Sequence, residues 1–218
     1  MVGDSLRQLI ILGNSGHATS VADAAASRGF TVIGFIGLPD DASPTAKQTS
    51  LGSLSDVDLA STEVAWGIGT NFLRARVAEE VSEAYPGARF ASIIHSTAWV
   101  SPAATVAPGA VVLAHASVGP GATVGAGAIL NTGSSLDHDS RLGDFSSLGP
   151  GARTGGDVTI GERSMIGLQA AILHGRTVGF DSVIGAMSLV TRNIPDLSVA
   201  WGVPARSVRD RRREDPYF

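Results

Sequence analysis

The chain of 218 residues contains no cysteine. That excludes disulfides, thiolate metal sites and a cysteine nucleophile, and it is compatible with a reducing compartment. Positive charge is not in excess either: 16 Lys and Arg against 20 Asp and Glu give a net charge of −4 and a pI of about 5.7. The basic footprint expected of a nucleic-acid-binding protein is therefore missing. Long apolar runs are also lacking. The mean hydropathy of +0.20 comes from dispersed Ala, Val, Leu and Ile, and no stretch reaches the roughly 18–20 residues that span a bilayer. The apolar residues 9–12 are too short for the core of a signal peptide. These absences predict a soluble, cytoplasmic protein of one or two domains, with neither membrane nor nucleic acid as partner.

What the chain does have is a six-residue ladder. Val100, Val106, Val112, Val118, Val124, Leu130, Leu136, Leu142, Leu148, Thr154, Ile160, Ile166, Ile172, Val178, Ile184 and Val190 follow one another at that spacing, and only Thr154 departs from Val, Leu or Ile. Small residues recur four places after most rungs, and nine rungs are followed directly by Gly. A period of six fits neither a helix nor independent alternating strands, so it is a structural repeat, and hexapeptide repeats are the signature of a parallel β-helix. Each hexad then makes one short strand and one corner, with the branched rung pointing into a narrow core.

The first 95 residues follow another pattern. An apolar strand over residues 6–12 runs into Gly13-Asn14-Ser15-Gly16-His17-Ala18, then a helix to about Arg28 and a second strand over residues 30–37. A Gly-rich turn opening a helix offers free N–H groups to an anion. Its full dinucleotide fingerprint is absent, because position 15 is Ser and Gly37-Leu38-Pro39 stand where an acidic residue is expected. A phosphate-bearing substrate and a purely structural turn both remain open. Residues 39–50 read as a loop, 63–68 as a strand, 72–85 as an amphipathic helix with Leu73, Val77 and Val81 on one face, and 89–94 as a further strand. Arg74 reads as a solvated helix charge or, alternatively, a phosphate contact. The expected architecture is an α/β domain with a small Rossmann-like parallel sheet over residues 1–95, a β-helix over 96–200 and a solvated Arg-rich tail over 201–218.

Chemistry is expected where the ladder carries a polar cluster, Asn131-Thr132-Gly133-Ser134-Ser135-Leu136-Asp137-His138-Asp139. A His flanked by two Asp has a carboxylate at hand to orient the imidazole and raise its basicity. His138 and His174 lie 36 residues apart, on one face and about 10 Å from each other by strand spacing. This spacing resembles part of the γ-carbonic anhydrase zinc site, whose next ligand would stand at position 179, which is Gly. No metal is expected.

Taken together, these motifs resemble the hexapeptide-repeat acyltransferases, specifically the sialic-acid O-acetyltransferase and nucleotide-amino-sugar N-acetyltransferase group. The residues that carry the likeness are Gly13-Asn14-Ser15-Gly16-His17, Gly69-Thr70-Asn71, Ile94-His95, Asn131-Thr132-Gly133 with Asp137-His138-Asp139, and Gly202-Val203-Pro204-Ala205-Arg206. The resemblance implies a left-handed β-helix with three hexads per coil and a homotrimer holding acetyl-CoA in the groove between adjacent β-helices. It implies that His138 is the general base, Asp139 its carboxylate partner and Asn131 a substrate or positioning contact. The Gly156 N–H would be the oxyanion donor. A nucleotide-linked amino sugar would meet Gly13, Asn14, Ser15, Gly16, His17, Asp40, Asp41, Asn71 and Arg74. Acetyl-CoA would meet Ser147, Gly156, Gly167, Gly185, Ala186, Arg192, Pro204 and Arg206. Ser147 stands where several amino-sugar members carry a second His, and Gly37-Leu38-Pro39 separate the second strand from Asp40-Asp41. The implied activity is acetyl-CoA-dependent N-acetylation by direct attack. Its rivals are O-acetylation of a sugar hydroxyl and a non-catalytic sugar-nucleotide-binding scaffold.

Overall fold

A computed structural model describes residues 7–37 and 51–217. Asp40, Asp41 and the loop expected over 39–50 fall outside the described residues.

The N-terminal unit is built on the strand β1 (Arg7–Leu12), followed by α1 (Gly16–Ala26), β2 (Phe30–Ile36), β3 (Thr62–Trp66), α2 (Asn71–Ala84) and β4 (Arg89–Phe90). The four strands form a parallel sheet in the order β2-β1-β3-β4. The Leu9–Leu12 run is apolar throughout because β1 is central and covered on both faces. Leu9 and Ile11 face α1 through Ala18, Val21 and Ala25, while Ile10 and Leu12 face α2 through Val77 and Val81.

The strand expected over residues 89–94 is two strands in two different sheets. Arg89–Phe90 closes the first sheet, and β5 (Ile93–Ile94) already pairs with Val111–Val112 as the first rung of the β-helix. A short run of apolar residues does not reveal a change of sheet. From β5 to β21 (Leu189–Val190) every strand is two residues long, and as far as Ala171–Ile172 each pairs in parallel with the strand three places on. Three sheets result, one per face of a triangular coil, as expected from three hexads per turn of a left-handed β-helix. The rungs from Val112 to Val190 form one continuous core. Burial of each such aliphatic side chain contributes roughly 1.5–3 kcal/mol.

One face of the β-helix buries its outward apolar residues against the N-terminal unit. Ile93, Val111 and Ile129 there are buried against α1 and β1 and share their core. The two units are thus joined along an apolar seam. The C-terminal residues, expected as a solvated tail, instead form an antiparallel hairpin of β22 (Ser198–Gly202) and β23 (Ala205–Asp210), with β22 extending the same face beside Val183–Ile184. Arg211, just beyond it, is buried.

Candidate active site

His138 and Asp139 form one corner of a coil, between strands Ser135–Leu136 and Arg141–Leu142. Asp139 adopts a left-handed conformation, φ 58°, which a short polar side chain tolerates. That conformation brings its carboxylate back to His138, with Nδ1 to Oδ2 at 2.9 Å. The hydrogen bond to Asp139 raises the His138 pKa above its ordinary value, with Asp137 and Asp157 adding to the effect. Since Nδ1 faces the carboxylate, Nε2 is the nitrogen left to exchange a proton with substrate.

Two neighbours set this ring. Gly156 lies one coil on, and a Cβ there would overlap the imidazole of His138. The absent side chain is therefore the space that His138 occupies. Among the described residues, no hydrogen-bond acceptor is paired with the Gly156 N–H, whereas the Gly156 carbonyl accepts from Gly175. His174 follows one coil further, its ring 6.2 Å from that of His138 and tilted by 39°. The imidazoles lean together, so their separation is less than the strand spacing alone gives.

Thr154, the exceptional rung, sits beneath the same corner. Elsewhere the residue after a rung donates its N–H to a backbone carbonyl one coil on, as Gly119 does to Leu136. Asp137 donates instead to the Thr154 hydroxyl at 2.9 Å. Asp137 in turn accepts the His138 N–H at 2.7 Å. The polar rung thus supports the His138 corner, a role that the ladder alone does not show.

The second candidate region is a cavity of about 410 Å³ between the N-terminal unit and the β-helix, lined among others by Ser15, His17, Asn131, Ser147, Met165 and Tyr217. The N-terminus of α1 opens into it at Ser15, whose side chain does not cap the helix. Burial, then the charge of Arg74, lowers the His17 pKa to about 4. His17 is therefore neutral near pH 7, and its buried Nε2 has no hydrogen-bond partner. The larger groove, about 540 Å³ between Arg141 and Arg213 on the third face, contains none of the expected site residues.

Arg74 is neither solvated nor exposed to a substrate. It is fully buried and donates to the carbonyls of Gly127, Ile68, Gly69 and Phe145 and to Asn71 Oδ1. Burial lowers its pKa to about 10, so it stays charged at neutral pH, and among the described residues no carboxylate pairs with it. A helical wheel cannot show that the polar side of α2 packs against the β-helix. Asn71 is likewise committed, through Nδ2 to the Arg163 and Ser164 carbonyls. Ser147 gives its hydroxyl proton to Asn71 Oδ1 at 2.6 Å. These three residues, expected as ligand contacts, form a polar joint between the two units that uses much of their hydrogen-bonding capacity internally.

Among the remaining expected residues, Gly13 (φ +103°) approaches the Gly67 backbone so closely that a Cβ would collide. Its place in the turn is structural, and Asn14 lies against Gly37. Asn131 lines the cavity while its Nδ2 donates to the Leu148 carbonyl. The β-helix corners divide the others. Arg192 follows His138, Gly156 and His174 at intervals of 18 residues along one corner. Gly149, Gly167 and Gly185 follow Asn131 at that interval on another, with Ala186 adjoining. Ala186, Arg192, Pro204 and Arg206 are exposed, and Gly167 is packed under Gly185 and Ala186. His138 is not in the wall of the His17 cavity. No cluster of three His, Asp or Glu able to hold a metal ion occurs among the described residues, and no described helix is long and apolar enough to cross a membrane.

A polar corner on a left-handed hexapeptide β-helix, fused to a small α/β unit, defines a recognisable class of transferase scaffold. The PglD N-terminal domain family matches residues 8–81. The acetyltransferase domain of PglB from Neisseria gonorrhoeae FA1090, solved with acetyl coenzyme A, is 32% identical over 94% of this chain and 100% of that one, with a TM-score of 0.85. PerB from Caulobacter crescentus, solved with CoA and GDP-perosamine, is 30% identical over 96% and 99%, with a TM-score of 0.83. Galactoside O-acetyltransferase of Escherichia coli K12 is 44% identical over 61 residues, which are 28% of this chain and 30% of that protein. The match with this curated relative thus spans less than a third of its length. The chain belongs to the hexapeptide-repeat acyltransferases, in the group that includes the nucleotide-amino-sugar N-acetyltransferases.

Proposed function

We propose that this protein is an acetyl-CoA-dependent N-acetyltransferase acting on the amino group of a nucleotide-linked amino sugar. The observation that carries the reading is the His138–Asp139 pair set over the side-chain-free Gly156. The sugar amine attacks the thioester carbonyl and forms a C–N bond, while His138 Nε2 takes the amine proton. The carbonyl oxygen gains negative charge and accepts the Gly156 N–H. Collapse breaks the C–S bond, and the departing thiolate receives the proton from His138. No covalent enzyme intermediate is required, and alignment of the two substrates contributes much of the rate.

The substrate class is supported by the relative solved with GDP-perosamine and by the cavity around His17. The buried charge of Arg74, compensated by dipoles alone, makes that cavity attractive to an anion, as does the α1 N-terminus opening into it. Because the cavity and His138 occupy different corners, we assign the working form as a homotrimer in which one copy's His138 meets a neighbour's cavity. Acetyl-CoA would then lie between the corner bearing Gly156 and Arg192 and the neighbour's corner bearing Gly167, Gly185 and Ala186. We place the enzyme in the cytoplasm, where its acetyl donor is made available.

Thiol release from acetyl-CoA across UDP-, GDP- and dTDP-linked 4-amino sugars tests the reading. Turnover of at least one amino sugar is expected. Release with free sialic acid alone would establish the O-acetylation rival, and failure to release thiol with any of these acceptors would favour a binding scaffold.

A further inference from the structure

The segment after β23 is folded back rather than loose. The Arg211 N–H donates to the Leu197 carbonyl at 2.8 Å. Its guanidinium donates to the Asp181 carbonyl at 2.7 Å and the Asp215 carbonyl at 2.5 Å. The Asp181 carboxylate, 1% exposed, is paired with Arg163 at 2.8 Å and Arg213 at 3.3 Å. A buried carboxylate is costly unless opposed by charge, and two guanidiniums meet that need here. A turn follows, with the Arg212 N–H donating to Asp215 Oδ2 at 2.9 Å.

This turn delivers Tyr217 to the cavity that holds His17 and Asn131. The Tyr217 hydroxyl accepts the Asn71 N–H at 2.6 Å, at the first residue of α2. One free N–H of the α2 N-terminus, which Thr70 does not cap with its side chain, thereby gains an acceptor. On the opposite side, the α1 N-terminus is likewise without a side-chain cap, and the buried His17 Nε2 is unpartnered. One cavity therefore has two helix N-termini at its walls, and a side chain from the far end of the chain occupies one of them.

We infer that Tyr217 is a specificity-determining residue: it closes the α2 side of the substrate cavity, fixes the size of the sugar that fits, and leaves the α1 N-terminus and His17 to the nucleotide diphosphate. This rests on the reading of the cavity as the nucleotide-sugar site. An aromatic wall suits a sugar ring, since the phenol offers an apolar face and a polar edge together. The Asp181 clamp holds Tyr217 in place, and it belongs to none of the hydrophobic core clusters.

The test compares Tyr217→Ala, Tyr217→Phe and Tyr217→Trp with the exposed tail control Glu214→Ala. Each is assayed by acetyl transfer and by calorimetric binding of UDP-, GDP- and dTDP-linked 4-amino sugars. Tyr217→Ala is expected to raise KM and Kd for the preferred sugar nucleotide about tenfold, the scale of a lost pocket wall. KM for acetyl-CoA should stay within about twofold of wild type by the same reasoning. Discrimination between sugars should narrow in Tyr217→Ala, persist in Tyr217→Phe and sharpen against the bulkier sugars in Tyr217→Trp. Glu214→Ala should match wild type. Unchanged sugar ranking and affinity in folded Tyr217→Ala, or in Tyr217→Trp should the alanine variant not fold, overturns the inference. So does a failure of every sugar nucleotide to bind wild type. Binding without acetyl transfer would sink the acetyltransferase reading, while the Kd shifts would still decide the role of Tyr217.

Discussion

At the scale of single residues, the site depends as much on an absent side chain as on present ones. His138 is held by Asp139, and the room for its ring is the missing Cβ of Gly156. Gly156→Ala is expected to displace the imidazole rather than the backbone, because the atoms it would meet belong to the His138 ring. A displacement of about 1 Å can cost on the order of 10²-fold in rate, so kcat/KM should fall by about that factor. The thermal unfolding midpoint should stay close to wild type. Full activity in Gly156→Ala would show that the ring does not work from this position. Thr154 teaches the complementary lesson: the one rung that breaks the aliphatic rule supplies the acceptor for the N–H of Asp137.

At the scale of elements, the ladder was legible because each rung is buried in the same geometric setting. The period of six fixes which residue points inward, and the observed core follows it from Val112 to Val190. The polar cluster at 131–139 was legible for the same reason, as a departure from a strict pattern. Where the chain contacts itself at long range, period alone could not help. The division of residues 89–94 between two sheets depends on pairing with Thr62–Trp66 and with Val111–Val112, which no local pattern reveals. The internal roles of Arg74, Asn71 and Ser147 depend on α2 docking against the β-helix. The Tyr217 position depends on a turn anchored at Asp181. Arg74→Met should leave several carbonyls without donors and cost about 3 kcal/mol or more, visible as a lowered denaturant midpoint. Arg74→Lys should recover little of that loss, since an ammonium cannot reproduce the planar fork that reaches four carbonyls and Asn71. Wild-type stability in Arg74→Met would contradict this account of the joint.

At the scale of the whole molecule, the chain separates its tasks. The N-terminal unit and one face of the β-helix form the cavity lined by His17 and Asn131, and a different corner carries the His138–Asp139 pair. The central claim is that a single imidazole, made more basic by Asp139, accepts the proton of the attacking amine. A base whose pKa is raised works only once the pH exceeds that raised value, so the acid limb of kcat/KM should lie above 6.5, the ordinary value for His. In Asp139→Asn the carboxylate that favours the imidazolium is gone, so the limb should move to lower pH and the plateau rate should fall. The most direct measurement is therefore the pH profile of kcat/KM for acetyl transfer in wild type, Asp139→Asn and His138→Ala. The expected result is a wild-type limb above 6.5, a limb shifted to lower pH in Asp139→Asn, and none attributable to this group in His138→Ala, with a rate about 10²-fold or more below wild type. An unchanged limb and rate in His138→Ala would contradict the account.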